Sequence, residues 1–175
     1  NGDIFISDGY GNRRVVVFDK NGNFLRQWGR QATEAEIVAG TPGTFANTVH
    51  CIAMNNSGEI YVCDRFGDRI QVFNKMGGYL RSIHIGEKTH SRGTAWSVAF
   101  SPDLEQEYLY VVNGGWEKIE ILDHASGISL AAFGRPGHQI GHFTHAHTVA
   151  VDSTGSIYVA ETSTGRRVQR FNRSN

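Results

Sequence analysis

The chain lacks net charge, has little proline and cysteine, and contains no long apolar run. Its 17 Lys plus Arg balance 17 Asp plus Glu, so there is no basic field for nucleic acid or an anionic membrane surface. No apolar stretch approaches the ~20 residues of a spanning helix. Three prolines against 21 glycines exclude a Pro-rich linker and point to many tight turns. Two cysteines, Cys51 and Cys63, are too few for a disulfide scaffold. They are expected as free thiols, because cross-strand neighbours in regular sheets often have poor disulfide geometry. No segment shows a sustained helical period, and no secretory signal pattern is visible. Asn1-Gly2-Asp3 leads straight into Ile4-Phe5-Ile6, so the chain reads as a piece of a longer protein. Its compartment stays open, with a secreted or periplasmic parent among the options.

What the chain does contain is a repeat. The pattern is Gly, a polar residue, Ile-aromatic-Val, an acidic residue, a polar loop with Arg, then a β-branched run ending in Phe. It runs Gly2-Asp3-Ile4-Phe5-Ile6-Ser7-Asp8 to Arg14-Val15-Val16-Val17-Phe18, and again Gly58-Glu59-Ile60-Tyr61-Val62-Cys63-Asp64 to Arg69-Ile70-Gln71-Val72-Phe73. A degenerate copy is Tyr108-Leu109-Tyr110-Val111-Val112-Asn113 with Lys118-Ile119-Glu120-Ile121-Leu122. The last is Gly155-Ser156-Ile157-Tyr158-Val159-Ala160-Glu161 with Arg167-Val168-Gln169-Arg170-Phe171. Tyr61, Tyr110 and Tyr158 are spaced as propeller blades are, at roughly 40–50 residues. The runs are short, β-branched or aromatic, and bounded by turn residues, which marks strands.

The fold class is therefore all-β, a β-propeller segment of about 14 strands. The blades fall at approximately 1–44 (partial), 45–90, 91–140 and 141–175 (partial). The first copy lacks its first strand and the last lacks its fourth. A propeller hides its edges by closing a ring, so further blades are expected outside the chain; a strained four-bladed ring is the alternative.

Repeats separate scaffold from function. Asp8 with Arg14, Asp64 with Arg69 and Glu161 with Arg167 recur, with Asn113 and Lys118 in the third copy. They read as structural pairs, since the Arg fork suits a carboxylate. Arg65 does not recur: Gly9, Gly114 and Thr162 stand in its place. Its two readings are a solvated surface residue and an anion clamp at the rim. Tyr10 likewise faces Phe66, Gly115 and Ser163 in the other copies, and its phenol is available to a ligand. His50 and His147 open the first strands of two copies, where the third has Trp96. First strands line the channel of a propeller, so both imidazoles are expected near the axis at one end, with Tyr10 and Arg65 at that same end. Imidazole is a common zinc ligand; packed channel residues are the alternative. The run with His138, His142 and His145 has no compelling ligand spacing and reads mostly as a polar loop.

Across nearly the whole chain the repeat resembles the NHL repeat. Ser7 to Phe18, with Arg26-Gln27-Trp28-Gly29 following, resembles more narrowly the peptidyl-α-hydroxyglycine α-amidating lyases, as do Phe45 to Met54, Val62 to Phe73, Val112-Asn113-Gly114 and Phe143 to Glu161. The resemblance implies a six-bladed propeller with a three-histidine zinc site that splits a peptidyl-α-hydroxyglycine into a peptide amide and glyoxylate. It implies Tyr10 as catalytic base, Arg65 on the substrate side, and His50 and His147 as zinc ligands, with the third ligand on a blade outside the chain. A phenol titrates near ~10, so Tyr10 would need nearby cations to act near neutrality. Val49 and Ala146 stand where the family usually has proline before each histidine. His145 stands where the family has methionine. Thr148 replaces an acidic residue linked to structural calcium, which speaks against calcium. Gly11 replaces a cysteine of the animal enzymes, as in a bacterial-type relative without those disulfides. The expected partner is a small peptide-like substrate, or a protein or peptide if the chain is a non-catalytic NHL scaffold. The neutral charge argues against an RNA-binding module, and axial histidines argue against a sugar- or lactone-active propeller with acidic ligands.

Overall fold

A computed structural model describes residues 2–86 and 92–172. The blade boundary expected at 90–91 and the end of the last blade lie outside the described residues. The elements, in order, are β1 (Ile4–Asp8), β2 (Arg14–Phe18), β3 (Phe24–Trp28), β4 (Arg30–Gln31), α1 (Glu34–Ala39), β5 (Thr44–Phe45), β6 (Val49–Met54), β7 (Ile60–Asp64), a 3-10 turn (Arg65–Gly67), β8 (Arg69–Phe73) and β9 (Tyr79–His84). They continue with β10 (Ala95–Phe100), β11 (Tyr108–Asn113), β12 (Lys118–Asp123), β13 (Ser129–Phe133), β14 (Ala146–Val151), β15 (Ile157–Glu161) and β16 (Val168–Phe171).

Fourteen of these sixteen strands form four antiparallel sheets, β1-β2-β3, β6-β7-β8-β9, β10-β11-β12-β13 and β14-β15-β16. The first and last sheets have three strands each, as the repeat requires of its incomplete copies. β4 and β5 make a two-residue parallel pair in the link between the first two sheets. The chain is thus an incomplete β-propeller. No helix among the described residues is long and apolar enough to cross a membrane.

The core sits between neighbouring sheets. Ile60 and Val62 face the first sheet with Val15 and Phe45, while Tyr61 and Cys63 face the third with Val98, Leu109 and Val111. β7 is apolar on both faces because it is sandwiched, and its side chains alternate with the period of two that a strand imposes. A third cluster, with Trp96, Val112, Phe143, Val149 and Val159, joins the last two sheets.

One sequence expectation needs extension. No helical period was visible, yet α1 forms. It rests on a capping box, with Thr33 accepting from the Glu36 amide and Glu36 from the Thr33 amide. None of its residues is buried, so it carries no apolar stripe for a period to reveal.

The recurring arginines do more than pair within a loop. Arg69 donates to Asp64, and its fork also reaches the carbonyls of Gly40, Thr41 and Thr44. Arg167 donates to Glu161 and to the carbonyls of His138, Gln139 and His142. Gln71 and Gln169 repeat the theme on Thr44 and His142. The acid closes each unit by accepting the amide of Ala46 or Thr144. Each unit is a latch that fixes the link entering its sheet.

The residue before the recurring Arg14, Arg69, Lys118 and Arg167 is left-handed in all four copies: Arg13, Asp68, Glu117 and Arg166, with φ of 50–51°. A non-glycine residue rarely sits there. Its recurrence makes it part of the repeat. Three of these side chains grip the approach to the next sheet: Arg13 donates to Asn47, Asp68 accepts from Thr94, and Glu117 accepts the amides of His145 and Ala146.

The first strand of each sheet that has one begins with a β-bulge. Val49 pairs with Asp64 and Ile52 with Val62, so His50 and Cys51 together oppose Cys63. Ala95 pairs with Asn113 and Ser97 with Val112, leaving Trp96 extra. Ala146 pairs with Glu161 and Thr148 with Ala160, leaving His147 extra. This corrects the expectation of free thiols: Cys51 and Cys63 form a disulfide, with Cα atoms 4.9 Å apart. That expectation assumed a regular sheet. The bulge sets two residues against one and brings the cysteines within bridging range.

Candidate functional site

β6, β10 and β14 lie side by side, so their bulges fall at one end of the axis. A bulge re-aims a side chain, and here it carries the axial residue of each copy. The His50 and His147 ring centres are 4.8 Å apart. Trp96 completes a near-equilateral triangle, 5.5 Å from each.

Tyr10 enters from the loop after β1, with its ring 6.0 Å from that of His50. Its approach depends on Gly9, where a Cβ would lie 1.9 Å from the Val49 carbonyl oxygen. Only glycine lets the loop lie against the start of β6. Arg65 sits in the 3-10 turn after β7. Its guanidinium carbon is 3.8 Å from the centre of the Trp96 ring, its Nε donates to the Arg92 carbonyl, and Tyr10 acts on it electrostatically. The structure therefore brings Tyr10, His50, Arg65 and His147 together. Arg65 shares neither the carboxylate pairing of Arg14, Arg69 and Arg167 nor the latch contacts of Arg69 and Arg167.

The electrostatics follow from burial and charge. Burial lowers the His50 pKa, as do His147 and Arg65 nearby, against an opposing hydrogen bond to Trp96. Burial and Arg65 lower that of His147 as well. Both imidazoles are thus held toward the neutral form that binds metals. Burial also lowers the Arg65 pKa, aided by Arg92 and opposed by Tyr10. His50 Nδ1 lies 2.6 Å from the Trp96 carbonyl oxygen. A carbonyl only accepts, so Nδ1 carries the proton and Nε2 keeps its lone pair, the arrangement seen behind metal-ligating histidines.

The pair fits a tetrahedral metal in one respect that can be tested. Two imidazoles on one zinc, each nitrogen ~2.0–2.1 Å away, have ring centres roughly 5 Å apart. Two ligands do not complete a site, and no group of three His, Cys, Asp or Glu suited to a metal occurs among the described residues. Thr148, at the position linked to calcium in the resembling family, has its hydroxyl 3.2 Å from His147 Nδ1.

Two of the other histidines, His138 and His142, serve the scaffold. His142 Nε2 accepts from Arg135, while the carbonyls of His138 and His142 hold Arg167. Two residues at the site escaped the sequence reading as participants. Trp96 was visible at the histidine register but not as the platform under Arg65. Arg92, whose guanidinium carbon lies 5.3 Å from the Trp96 ring and pairs with Glu117, gave no repeat signal.

Several known proteins are similar to this chain. Homologues include peptidyl-α-hydroxyglycine α-amidating lyases and an NHL repeat protein. Peptidyl-glycine alpha-amidating monooxygenase B of Xenopus laevis is 28% identical over 172 residues, covering 91% of this chain and 18% of the relative. Peptidyl-alpha-hydroxyglycine alpha-amidating lyase 1 of Drosophila melanogaster is 26% identical over 98% of this chain and 33% of its own length. The human NHL repeat-containing protein 3 is 28% identical over 97% of this chain and 46% of its own length. The chain spans less than half of each of these relatives. No family model matches. Among solved structures, the WD40 β-propeller domain of Doa1 superposes with a TM-score of 0.68 at 13% identity, over 99% of this chain and 47% of that one. A streptogramin B lyase gives 0.64 at 14% identity, over 98% and 51%. These two likenesses establish the β-propeller fold alone.

Proposed function

We propose that the chain is part of a zinc-dependent lyase that cleaves the C–N bond of a peptidyl-α-hydroxyglycine, giving a peptide amide and glyoxylate. The observation that carries this reading is the axial His50–His147 pair at 4.8 Å with Tyr10 and Arg65 at the same end. The amidating relatives support it at the level of the family. His50 and His147 hold the zinc together with a third ligand from a part of the parent not in this chain; the 175 residues alone are then inactive. Zinc, when bound, supplies a Lewis acid for the substrate hydroxyl.

The chain's own residues do the rest. Tyr10 accepts the hydroxyl proton, the carbinol carbon becomes the aldehyde of glyoxylate, and the C–N electron pair leaves with the amide nitrogen, which takes that proton from Tyr10 to become the peptide amide. Arg65, held over the Trp96 ring, offers its fork to the substrate carboxylate. The substrate is thus a small peptide-like molecule, and neither nucleic acid nor a membrane is required. A disulfide persists in oxidising compartments, which suits a secreted or periplasmic parent. The test uses the full-length parent with a synthetic peptidyl-α-hydroxyglycine, measuring glyoxylate release and bound zinc. His50→Ala should abolish both; retention of both overturns the assignment.

A further inference from the structure

The three axial bulges are anchored differently. That of His147 is held by Glu117, whose buried carboxylate accepts the amides of His145 and Ala146 at 3.0 and 2.9 Å. Trp96 is held by its own indole, which donates to the Gly93 carbonyl at 2.9 Å, and by burial to 4% exposure. The equivalent grip on the β6 bulge comes from Arg13, which donates to the Gly11 carbonyl in its own loop and, toward β6, to the Asn47 side chain, three residues before His50 and in an exposed setting. In its place stands a covalent bond. Cys51 follows His50, Cys63 lies two residues before Arg65, and the bridge between them spans the two strands at the bulge itself. Cys63 is fully buried, and Cys51 packs against the same core between the second and third sheets. That core includes Ala95 and Val98, which flank the Trp96 whose carbonyl orients His50.

We propose that the Cys51–Cys63 disulfide is a positioning element of the axial site: it locks the bulge that aims His50 at His147 and ties it to the strand that delivers Arg65. The importance of this for catalysis rests on the zinc lyase reading, but the geometric effect does not.

The test compares the oxidised chain with Cys51→Ala/Cys63→Ala and with Cys51→Val/Cys63→Ala, which refills the lost volume. Imidazole nitrogen NMR reads the His50 tautomer directly, with His147 as the internal control, and a Zn2+ titration follows. In the oxidised chain His50 should show a protonated Nδ1 and a free Nε2. In both variants His50 should shift to mixed tautomers while His147 stays unchanged, and Zn2+ affinity should fall about tenfold, the low end for lost outer-shell support. If Zn2+ binds none of the three forms while the His50 tautomer still responds, the positioning role stands on the tautomer alone, and the zinc reading is decided by bound zinc in the full-length parent, which holds the third ligand. An unchanged His50 signature with only a lower melting temperature overturns the proposal. So does failure of both variants to fold, which would make the bridge a global staple.

Discussion

The Nδ1 of His50 lies 2.6 Å from the carbonyl oxygen of Trp96, so an axial side chain of the second sheet is oriented by the backbone of the third. The packing between those sheets therefore sets where the imidazole points. Changes that loosen the sheets relative to one another should reach the site without touching it.

The recurring acid–arginine pairs should differ in energetic weight although they share a sequence pattern. The side chains of Arg69 and Asp64 are 3% and 1% exposed, whereas those of Arg14 and Asp8 are 34% and 30% exposed. Removing one partner of a buried pair strands a charge and costs ~3–5 kcal/mol; an exposed pair is worth about 1 kcal/mol or less. Arg69→Ala should thus lower the urea midpoint severely and Arg14→Ala barely. Equal losses would show that burial does not govern the pairs.

Acid should act on one latch more than on another. Burial pushes Glu161 up, but Arg167, the Thr144 amide and Gln169 outweigh it and leave its pKa below the ordinary value. A lowered folded pKa gives stability that is present above the unfolded value and lost as pH falls through the folded one. Burial of Asp64 wins over its partners and raises its pKa, so its contribution has the opposite sign and is lost as pH rises. Stability should fall as pH drops below about 4.5. Glu161→Gln should flatten that acid slope, and Asp64→Asn should not. Urea titrations at pH 6, 5, 4 and 3 would read both.

Much of this was legible because the chain repeats. The aromatic spacing of Tyr61, Tyr110 and Tyr158 marked the blades, and comparison of the copies singled out Tyr10, Arg65, His50 and His147. What escaped was non-local or irregular. The carbonyls held by Arg69 lie 25–29 residues away, beyond the reach of a pattern read along one copy. The disulfide depended on a bulge, and a bulge leaves no mark in an alternation of side chains. Trp96 looked like a departure from histidine, whereas in space it is the third corner of the triangle.

Gly29 and Gly134 should resist substitution equally. They follow the last strands of the first and third sheets with φ of 91° and 92°, and a Cβ would lie 2.4 Å from a carbon of the Phe45 ring and 2.2 Å from one of Phe143. Both the backbone angle and the ring oppose a side chain. Gly29→Ala and Gly134→Ala should each cost more than about 1 kcal/mol, seen as lower melting temperatures. A neutral Gly29→Ala would mean that Phe45 can retreat, contrary to its complete burial.

The axial triangle invites a gain of function. Trp96 occupies the bulge that in the flanking sheets presents a histidine, and its ring is 5.5 Å from both imidazoles, close to the roughly 5 Å expected between ligand rings on one tetrahedral zinc. Trp96→His should therefore place a third imidazole at the same point. The substitution removes a buried indole and the platform under Arg65, so the apo protein should be less stable, by ~3 kcal/mol or more. Zinc should restore part of that loss, because a ligand stabilises the state that binds it. The expected signature is a melting temperature that rises with Zn2+ more steeply in the variant than in the parent chain, and an affinity at least about tenfold tighter, or ~1.4 kcal/mol. A variant that is destabilised yet binds Zn2+ no better would show that the three bulges do not converge on one coordination point, and the metal assignment of His50 and His147 would lose its geometric basis.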